Sequence, residues 1–403
     1  MIGRTTFRNE GRLFGIRQAD RRSHLYAIGM TGTGKSSLLE SMAIQDLDAG
    51  QGFALMDPHG DLVERVVDRV PESGRSDVIY WNVPDASRPL GFNPLDRIAP
   101  SSRAATASGL LDVFRKLWFD SWGPRTEHLL RNALLTLLDQ AEATLADVLR
   151  LLDDEEYRKR AAGRTSNPQV RRFWLSEYEH YPARFRAEAI APVQNKIGAF
   201  LSDPVLNAIV TQPRSSLDIR KIMDEGQVLL INLSTGRLGG STTSLLGSLL
   251  VASLSLAGLG RANTTLETRR DFFVYLDEFH LFMTLSLATM LSELRKYRVG
   301  LVLAHQHLSQ LDIRVRDAIL GNAGSIISFR IGPTDAEILE GHFFPEIRAR
   351  DLVSLPNYQT YAKLMLHGSV TKPFSAETVE PLRTPPSQSP RAAHQELRRT
   401  AHT

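Results

Sequence analysis

A glycine-rich segment with one lysine carries the clearest chemistry in the sequence. Residues 29–36 read Gly-Met-Thr-Gly-Thr-Gly-Lys-Ser and match the phosphate-binding pattern G-x-x-x-x-G-K-[ST] at every fixed position. Glycines let backbone N–H groups face a polyphosphate without interference from a Cβ atom. Lys35 can reach the β- and γ-phosphates, and the Ser36 hydroxyl can bind Mg²⁺. The pattern therefore predicts a nucleoside triphosphate site formed by Gly29, Thr31, Gly32, Thr33, Gly34, Lys35, Ser36 and Ser37.

Two adjacent acids form the second chemical signal. Asp277 and Glu278 follow the apolar run Phe-Phe-Val-Tyr-Leu, which is typical of a buried strand. Beside a phosphate-binding loop, the first acid can bind the Mg²⁺ shell and the second can polarise the attacking water. An acidic turn after a strand is common in α/β proteins, so the functional interpretation of the two acids depends on the phosphate-binding loop upstream. We assign Asp277 and Ser36 to the metal ion, and Glu278 and Lys35 to catalysis.

Three further polar residues are candidates for the same site. Gln306 comes just after an apolar run, where its amide could sense the γ-phosphate and orient water, although a polar start of a helix is the alternative. Arg295 could act as an arginine finger on the nucleotide of a neighbouring subunit, or it could offset a helix dipole. Arg330, at the end of another predicted strand, could contact a phosphate or form a surface ion pair.

The elements that must position these residues alternate between short β-rich runs and helical patterns. This alternation predicts an α/β fold with a mostly parallel sheet. The predicted strands cover residues 25–28, 53–56, 78–81, 228–233, 272–276, 300–304, 325–331 and 361–366. The phosphate-binding loop falls between the first of these strands and an amphipathic stretch at 37–47. That is the strand–loop–helix context that the motif requires.

The texture of the chain changes in its second quarter, where helical periodicity replaces the β-rich runs. We expect an all-helical insertion at 101–211 within a discontinuous α/β domain formed by 1–100 and 212–383. Residues 384–403 lack a packable apolar pattern and are expected to form a disordered tail. The uncharged segment 238–260 approaches the length of a membrane span. Its serines and its place between two predicted strands favour a buried helix, so we expect no intrinsic membrane span.

Composition excludes several kinds of chemistry. The 403-residue chain has no cysteine, which excludes disulfides, thiol catalysis and cysteine-ligated zinc. Its 48 Lys and Arg residues against 45 Asp and Glu residues give a formal net charge of +3, which permits nucleic-acid binding without requiring it. Residues 1–10 lack the apolar stretch of a secretory signal. We expect a cytoplasmic protein, and recruitment to the inner face of the membrane stays open.

Six motifs taken together resemble a known family. In chain order they are the phosphate-binding loop, Asp57-Pro-His-Gly60, Gly91-Phe-Asn-Pro-Leu95, Leu276-Asp-Glu-Phe279, Leu294-Arg-Lys-Tyr297 and Ala304-His-Gln306. The ordered set is similar to that of the HerA–FtsK-type pumping ATPases. The branch that it resembles is the type IV coupling proteins of conjugation (TraD/TraG-like). The resemblance covers most of residues 20–370.

This resemblance implies a RecA-like P-loop ATPase motor with an inserted all-helical domain. Such motors are usually homo-hexamers that bind ATP and Mg²⁺ between subunits and thread DNA through a central channel. By motif alignment, the nucleotide-site roles fall on Lys35, Ser36, Asp277, Glu278 and Gln306. Arg295 falls where the family has its trans-acting arginine, and Arg330 matches a further family arginine. The family also implies DNA-facing loops, for which 235–240 is a candidate beside the alternative of an ordinary connection.

Coupling proteins usually begin with transmembrane helices, whereas this sequence reaches the predicted motor without one. That departure weighs against direct attachment to a secretion channel, although a channel or relaxase partner is implied by the family. Three functions therefore stay open. The favoured one is an ATP-driven DNA translocase; the others are a protein-secretion ATPase of the same superfamily and a non-motor adaptor that ATP switches. The acid pair and Gln306 weigh against the adaptor.

Overall fold

The computed structural model describes residues 1–6 and 11–379, so the predicted tail at 384–403 lies outside the described residues. The chain divides into two compact units. The first, which we call the sheet unit, comprises the described residues of Met1–Asn82, Ile219–Thr235 and those from Ala257 to residue 379. The second, the helical unit, comprises Val83–Asp218 and Gly236–Leu256. The domain boundaries drawn from the sequence stay a prediction.

The strands belong to the sheet unit. In chain order they are β1 (Gly3–Thr5), β2 (Leu13–Phe14), β3 (Leu25–Ile28), β4 (Phe53–Asp57), β5 (Val78–Asn82), β6 (Val228–Asn232), β7 (Phe272–Leu276), β8 (Val299–His305), β9 (Ser325–Ser328), β10 (Gln359–Lys363), β11 (Met365–Leu366), β12 (Ser369–Val370) and β13 (Phe374–Thr378). An 11-stranded sheet has the order β2-β1-β13-β10-β9-β3-β8-β7-β4-β6-β5. The strands from β9 to β5 pair in parallel, whereas β2, β1, β13 and β10 pair antiparallel. The predicted α/β class with a mostly parallel sheet is confirmed.

Burial explains why the sequence predicts the parallel strands well. Every residue of β3, β4, β6, β7 and β8 is buried. Parallel strands covered on both faces read as continuous apolar runs, which is the pattern found in the sequence. The short strands β1, β2, β12 and β13 were missed. The predicted strand 361–366 forms β10 and β11 instead, separated by one residue.

Helices occur in both units. In chain order they are α1 (Gln18–Arg21), α2 (Lys35–Asp48), α3 (Asp61–Val67), α4 (Arg103–Leu117), α5 (Pro124–Leu137), α6 (Asp147–Asp153), α7 (Glu155–Arg164), α8 (Pro168–Arg172), α9 (Ala183–Leu201), α10 (Pro204–Val210), α11 (Ile219–Glu225), α12 (Thr235–Leu238), α13 (Gly240–Gly260), α14 (Ser286–Glu293), α15 (Ile313–Asn322), α16 (Pro333–Phe343) and α17 (Ala349–Val353). The helices α4 to α10 all lie in the helical unit. The described residues also include short 3₁₀ turns and a π-helical turn, Phe173–Tyr178.

The apolar helix predicted at 238–260 is present as α13. Among the described residues, the one helix long and apolar enough to cross a membrane is this one, extended by its 3₁₀ turn to Asn263. Its most apolar window is 67% buried inside the protein. Core helices commonly pass the same test of length and composition, so this helix is weak evidence for a membrane span.

The motif Gly91-Phe-Asn-Pro-Leu95 has a packing role in the helical unit. Asn93 is buried, and its side-chain amide donates to the carbonyl oxygens of Ala143 at 2.8 Å and Pro213 at 3.0 Å. Its side-chain oxygen accepts a hydrogen bond from the backbone of Leu95 at 3.0 Å. Buried amides of this kind are costly to leave unpaired. Asn93 therefore links the segment before α4 to the segment after α10, through Pro213, and to the loop before α6, through Ala143.

Candidate functional site

The loop at 29–36 joins β3 to α2 and owes its shape to its glycines. Gly32 and Gly34 have φ angles of 75° and 119°, a region that side chains rarely adopt. A Cβ atom on Gly29 would lie 2.5 Å from the Cβ of Phe329, so no side chain fits there. Gly34 precedes α2 without a side-chain cap, so backbone N–H groups in the first turn of α2 face outward. The backbone N–H groups of the loop and of the first turn of α2 therefore have the arrangement that suits an anion.

Lys35 is the first residue of α2, and its side chain returns to the start of the loop. Its ammonium group donates to the carbonyl oxygens of Gly29 at 2.6 Å and Met30 at 3.2 Å. Burial lowers the pKa of Lys35, and the nearby carboxylates of Glu278 and Asp277 act in the opposite direction. A cation that has only carbonyl partners gains by exchanging them for an anionic oxygen, since bonds between charged groups are stronger.

The other polar residues of the loop are arranged around this lysine. The Thr33 hydroxyl donates to the carbonyl oxygen of Met30 at 2.7 Å and closes the loop on itself. Thr31 is exposed at the tip, and Ser37 lies half-buried in the first turn of α2. The structure therefore brings the predicted loop residues together, while their individual roles toward a ligand stay a prediction.

A serine and an aspartate meet where a metal ion is predicted. The Ser36 hydroxyl donates to Asp277 Oδ2 at 3.1 Å. Hard oxygen ligands of this kind suit Mg²⁺, which is commonly held by one or two protein oxygens together with phosphates and water. No group of three His, Cys, Asp or Glu side chains among the described residues is placed to hold a metal by itself. Ser36 and Asp277 therefore fit a magnesium ion that arrives with a phosphate ligand.

The electrostatics of Asp277 agree with such a role. Its pKa is raised from 3.8 to about 6, first by burial and then by the negative charges of Asp57 and Glu278, against the smaller opposing effects of Ser36 and Lys35. A buried carboxylate beside two others is unfavourable without a cation. A divalent ion would reduce that penalty, because it would add positive charge to that of Lys35.

Glu278 is held in place by a short chain of side-chain hydrogen bonds. The Gln306 amide nitrogen donates to Glu278 Oε1 at 2.9 Å, and the Thr31 hydroxyl donates to Gln306 Oε1 at 2.9 Å. The other oxygen, Oε2, is buried and makes no hydrogen bond among the described residues, with His280 Nδ1 3.4 Å away. Such an orphaned acceptor suits a water molecule. The chain from Thr31 to Gln306 to Glu278 thus links the loop tip to a carboxylate that can orient water.

The ionisation of Glu278 differs from that of its neighbour. Burial raises the pKa of Glu278, but the neighbouring His280, the hydrogen bond from Gln306 and the charge of Lys35 outweigh burial, so the pKa of Glu278 is lowered from 4.5. Two adjacent carboxyl groups with opposite pKa shifts are typical of sites where each has a separate task. Glu278 also has a left-handed backbone, with φ 44° and ψ 46°. Such strain is commonly found at functional sites.

Two histidines near Glu278 were not assigned to this site from the sequence. His280 Nδ1 lies 3.4 Å from Glu278 Oε2. His305 is fully buried at the end of β8, and burial, followed by the charge of His280, lowers its pKa to about 3. His305 is therefore neutral at physiological pH. The left-handed turn at Glu278 directs His280 back toward the carboxylate, and residue spacing alone gives no sign of such a turn.

Asp57 belongs to the Asp57-Pro-His-Gly60 motif and closes the turn before α3. Its Oδ1 accepts from the backbone of His59 at 2.8 Å, and its Oδ2 accepts from Leu62 at 2.8 Å and Val63 at 3.2 Å. Asp57 contributes its negative charge to the environment of Asp277. The candidate DNA-facing segment 235–240 consists of α12 and the start of α13. Its role stays a prediction.

The two arginines predicted for the site occupy different places. Arg295 is exposed in the 3₁₀ turn Leu294–Tyr297 that precedes β8, whereas Gln306 follows β8. The seven residues of β8 separate Arg295 from the loop edge by about 20 Å at the usual strand rise. Arg330 borders the loop, but its guanidinium donates to the Leu355 carbonyl at 3.1 Å and to Asn357 Oδ1 at 3.0 Å. Neither arginine contacts the loop through its guanidinium in this structure.

Comparison with known proteins shows which fold this is. No protein-family model matches the chain, and no curated protein matches it by sequence. The plasmid coupling protein TrwB in complex with ADP and Mg²⁺ is 18% identical, with a TM-score of 0.66 over 97% of this chain and 96% of that chain. TrwB is also seen with the ATP analogue ADPNP and the GTP analogue GDPNP. VirB4 of Thermoanaerobacter pseudethanolicus is 12% identical, with a TM-score of 0.64 over 94% and 95%. The chain therefore shares the α/β fold of TrwB and VirB4, as the sequence predicts.

The opposite pKa shifts of the two acids predict opposite effects of neutralising them. The pKa of Asp277 is about 6 in the folded protein against 3.8 in the unfolded chain, so ionised Asp277 opposes folding at high pH. Asp277→Asn should raise the free energy of unfolding by up to about 3 kcal/mol at pH 8 and by roughly half of that at pH 5. Urea unfolding at the two pH values measures this.

Glu278→Gln is the matched control, because the pKa of Glu278 is lowered. Its ionised form favours folding above pH 4.5, so neutralising it should bring no gain at pH 8. Equal effects of the two substitutions, or a gain for Asp277→Asn that does not depend on pH, would contradict the described electrostatics.

Proposed function

We propose that this chain is an ATP-hydrolysing motor of the coupling-protein type that moves DNA through a ring of subunits. The observation that carries the proposal is the contact between Ser36 and Asp277 beside the Gln306–Glu278 pair. It gives a phosphate-binding loop both a metal position and a carboxylate that can orient water. The shared fold with TrwB, which is seen with ADP and Mg²⁺ and with an ATP analogue, supports ATP and Mg²⁺ as ligands.

In this proposal each described residue has one task. The backbone of 29–36 and the Lys35 ammonium bind the β- and γ-phosphates, and Lys35 gives up its two carbonyl partners for them. Ser36 and Asp277 hold Mg²⁺, which when bound neutralises phosphate charge. Glu278 orients the attacking water through its unpartnered oxygen. Gln306, between Thr31 and Glu278, couples the loop tip to that carboxylate.

The position of Arg295 supports a site that is shared between subunits. It is exposed, and the length of β8 separates it from this chain's own phosphate-binding loop. A head-to-tail ring would present one subunit's arginine to the next subunit's nucleotide, which is the arrangement of an arginine finger. We therefore propose a homo-hexamer in which Arg295 acts in trans.

DNA is the proposed cargo, and the fold shared with TrwB, which is described as a bacterial conjugative coupling protein, supports this choice. The formal net charge of +3 is compatible with this but weak as evidence. VirB4 shares the fold with a similar TM-score of 0.64, which keeps a protein-secretion ATPase as the second candidate. The Glu278–Gln306 pair favours hydrolysis over a passive ATP-switched adaptor. A cytoplasmic location, with a secretion channel or relaxase as partner, completes the proposal.

The proposal predicts ATP hydrolysis that depends on Mg²⁺ and that DNA stimulates. Phosphate release should be measured with and without single- and double-stranded DNA at two salt concentrations. DNA stimulation should weaken at the higher salt, because phosphate-backbone contacts release counterions. Lys35→Ala should abolish turnover, since the loop loses its cation.

Lys221→Ala serves as control, since Lys221 is an exposed lysine on α11 far along the chain from the site residues. Turnover without any DNA stimulation would favour the protein-secretion alternative. Full activity of Lys35→Ala would contradict the assignment of the loop.

Mixing two inactive variants tests whether the site is shared. Lys35→Ala removes the loop cation and Arg295→Ala removes the finger, so each should lose most of its turnover alone. In mixed rings, about a quarter of the interfaces pair an intact loop with an intact arginine, so partial activity should return. Lys296→Ala is the matched control, because Lys296 is an exposed neighbour that pairs with Glu293. No recovery on mixing, with both variants inactive and assembled, would place Arg295 outside a shared site.

A further inference from the structure

An exposed aromatic ring lies beside the phosphate-binding loop in a backbone conformation that tyrosine rarely adopts. Tyr358 has a φ of 67° and is 53% exposed. A positive φ is an outlier for a bulky residue and costs free energy. A large ring that is in this conformation and half exposed beside the loop has a face free for a ligand.

The backbone of Tyr358 is tied to the structure on both sides. Its N–H donates to the carbonyl oxygen of Thr33 at 2.8 Å, and its carbonyl accepts from the backbone of Thr378 at 2.9 Å. The ring itself reaches the loop, because a Cβ atom on Gly34 would lie 3.0 Å from Tyr358 Cδ1. The ring is therefore fixed against the last glycine before Lys35.

Arg330 holds the segment that carries this ring. Its guanidinium bonds to the Leu355 carbonyl and to Asn357 Oδ1, and its backbone carbonyl accepts from Met30 at 2.8 Å. Arg330 thus joins the loop on one side to the residues just before Tyr358 on the other. A guanidinium with several fixed bonds makes a rigid support.

The order of strands determines which part of a nucleotide would meet the ring. Along the sheet, β7 and β8 lie on one side of β3, and β9 and β10 lie on the other. Asp277, Glu278 and Gln306 follow β7 and β8, so the terminal phosphate must face that side. Tyr358 immediately precedes β10, two strand spacings or about 10 Å from β3 in the opposite direction. A nucleotide with its γ-phosphate at the acids therefore extends its sugar and base toward Tyr358.

We propose that the Tyr358 ring is the stacking platform for the base of the bound nucleoside triphosphate, and that Arg330 is its positioning residue. The inference rests on the proposed function, since it needs a triphosphate on the loop. An aromatic platform accepts the π-face of any base, and such stacking is sequence-tolerant in nucleic-acid binding. The larger face of a purine gives more contact area, so purine nucleotides are favoured over pyrimidine nucleotides.

The test compares a ligand that has a base with one that has none. Calorimetric affinities for ATP and for inorganic tripolyphosphate, both with Mg²⁺, are measured for the wild type, Tyr358→Leu and Tyr358→Phe. Tyr358→Leu should lose about tenfold in ATP affinity, the usual scale of one lost stacking contact, and should keep its tripolyphosphate affinity within about twofold. Tyr358→Phe retains the ring and should bind both ligands as the wild type does.

The tripolyphosphate measurement distinguishes two roles of Tyr358, stacking on a base and shaping the phosphate-binding loop. Equal losses of both ligands in Tyr358→Leu would overturn the inference, because the residue would then only shape the loop. Unchanged ATP affinity in Tyr358→Leu would overturn it as well. If the wild type binds neither ligand, or if Lys35→Ala binds both normally, the proposed function fails together with the inference. If only the inference fails, the wild type still binds ATP, and Lys35→Ala still weakens that binding.

Discussion

The common register of β3, β8 and β7 is the constraint on which the rest of the structure depends. Ile28 pairs with His305, and Leu276 pairs with Leu303, so the three parallel strands end at nearly the same level. Their following residues therefore emerge together at one edge of the sheet. Ser36 and Asp277 can meet at 3.1 Å although β8 lies between their strands. A shift of one residue in any of these pairings would turn a site side chain to the other face.

Because the three strands end together, the charged residues that follow them lie close to one another. Asp277 lies within the electrostatic influence of Asp57, Glu278 and Lys35, and Lys35 within that of Glu278 and Asp277. Burial raises the pKa of Asp277, whereas the hydrogen bonds of Glu278 keep its pKa low against burial. The cluster thus holds one carboxyl group that benefits from a metal ion and one that stays ionised and oriented. In the proposed function, a triphosphate with Mg²⁺ would add negative charge beside Lys35 and positive charge beside Asp277.

Much of this arrangement could be predicted from the sequence, because strands buried on both faces appear as apolar runs and the loop has fixed spacing. Other features depend on how distant segments return. Tyr358 reaches the loop because β10 runs antiparallel to β9, and His280 reaches Glu278 through a left-handed turn. Arg295 and Arg330 look alike beside predicted strands. The fold places Arg295 before β8, at the end of that strand away from the loop, and directs the Arg330 guanidinium to Leu355 and Asn357.

The central claim is that Glu278 orients water for hydrolysis at a site that binds ATP without it. The most direct measurement is ATP binding and turnover by Glu278→Gln, in which the amide keeps the shape of the side chain and removes its charge. We predict ATP and Mg²⁺ affinity close to that of the wild type, with turnover reduced by roughly 100-fold to 10,000-fold. Turnover at the wild-type rate would contradict the account, because hydrolysis would then not depend on this carboxylate.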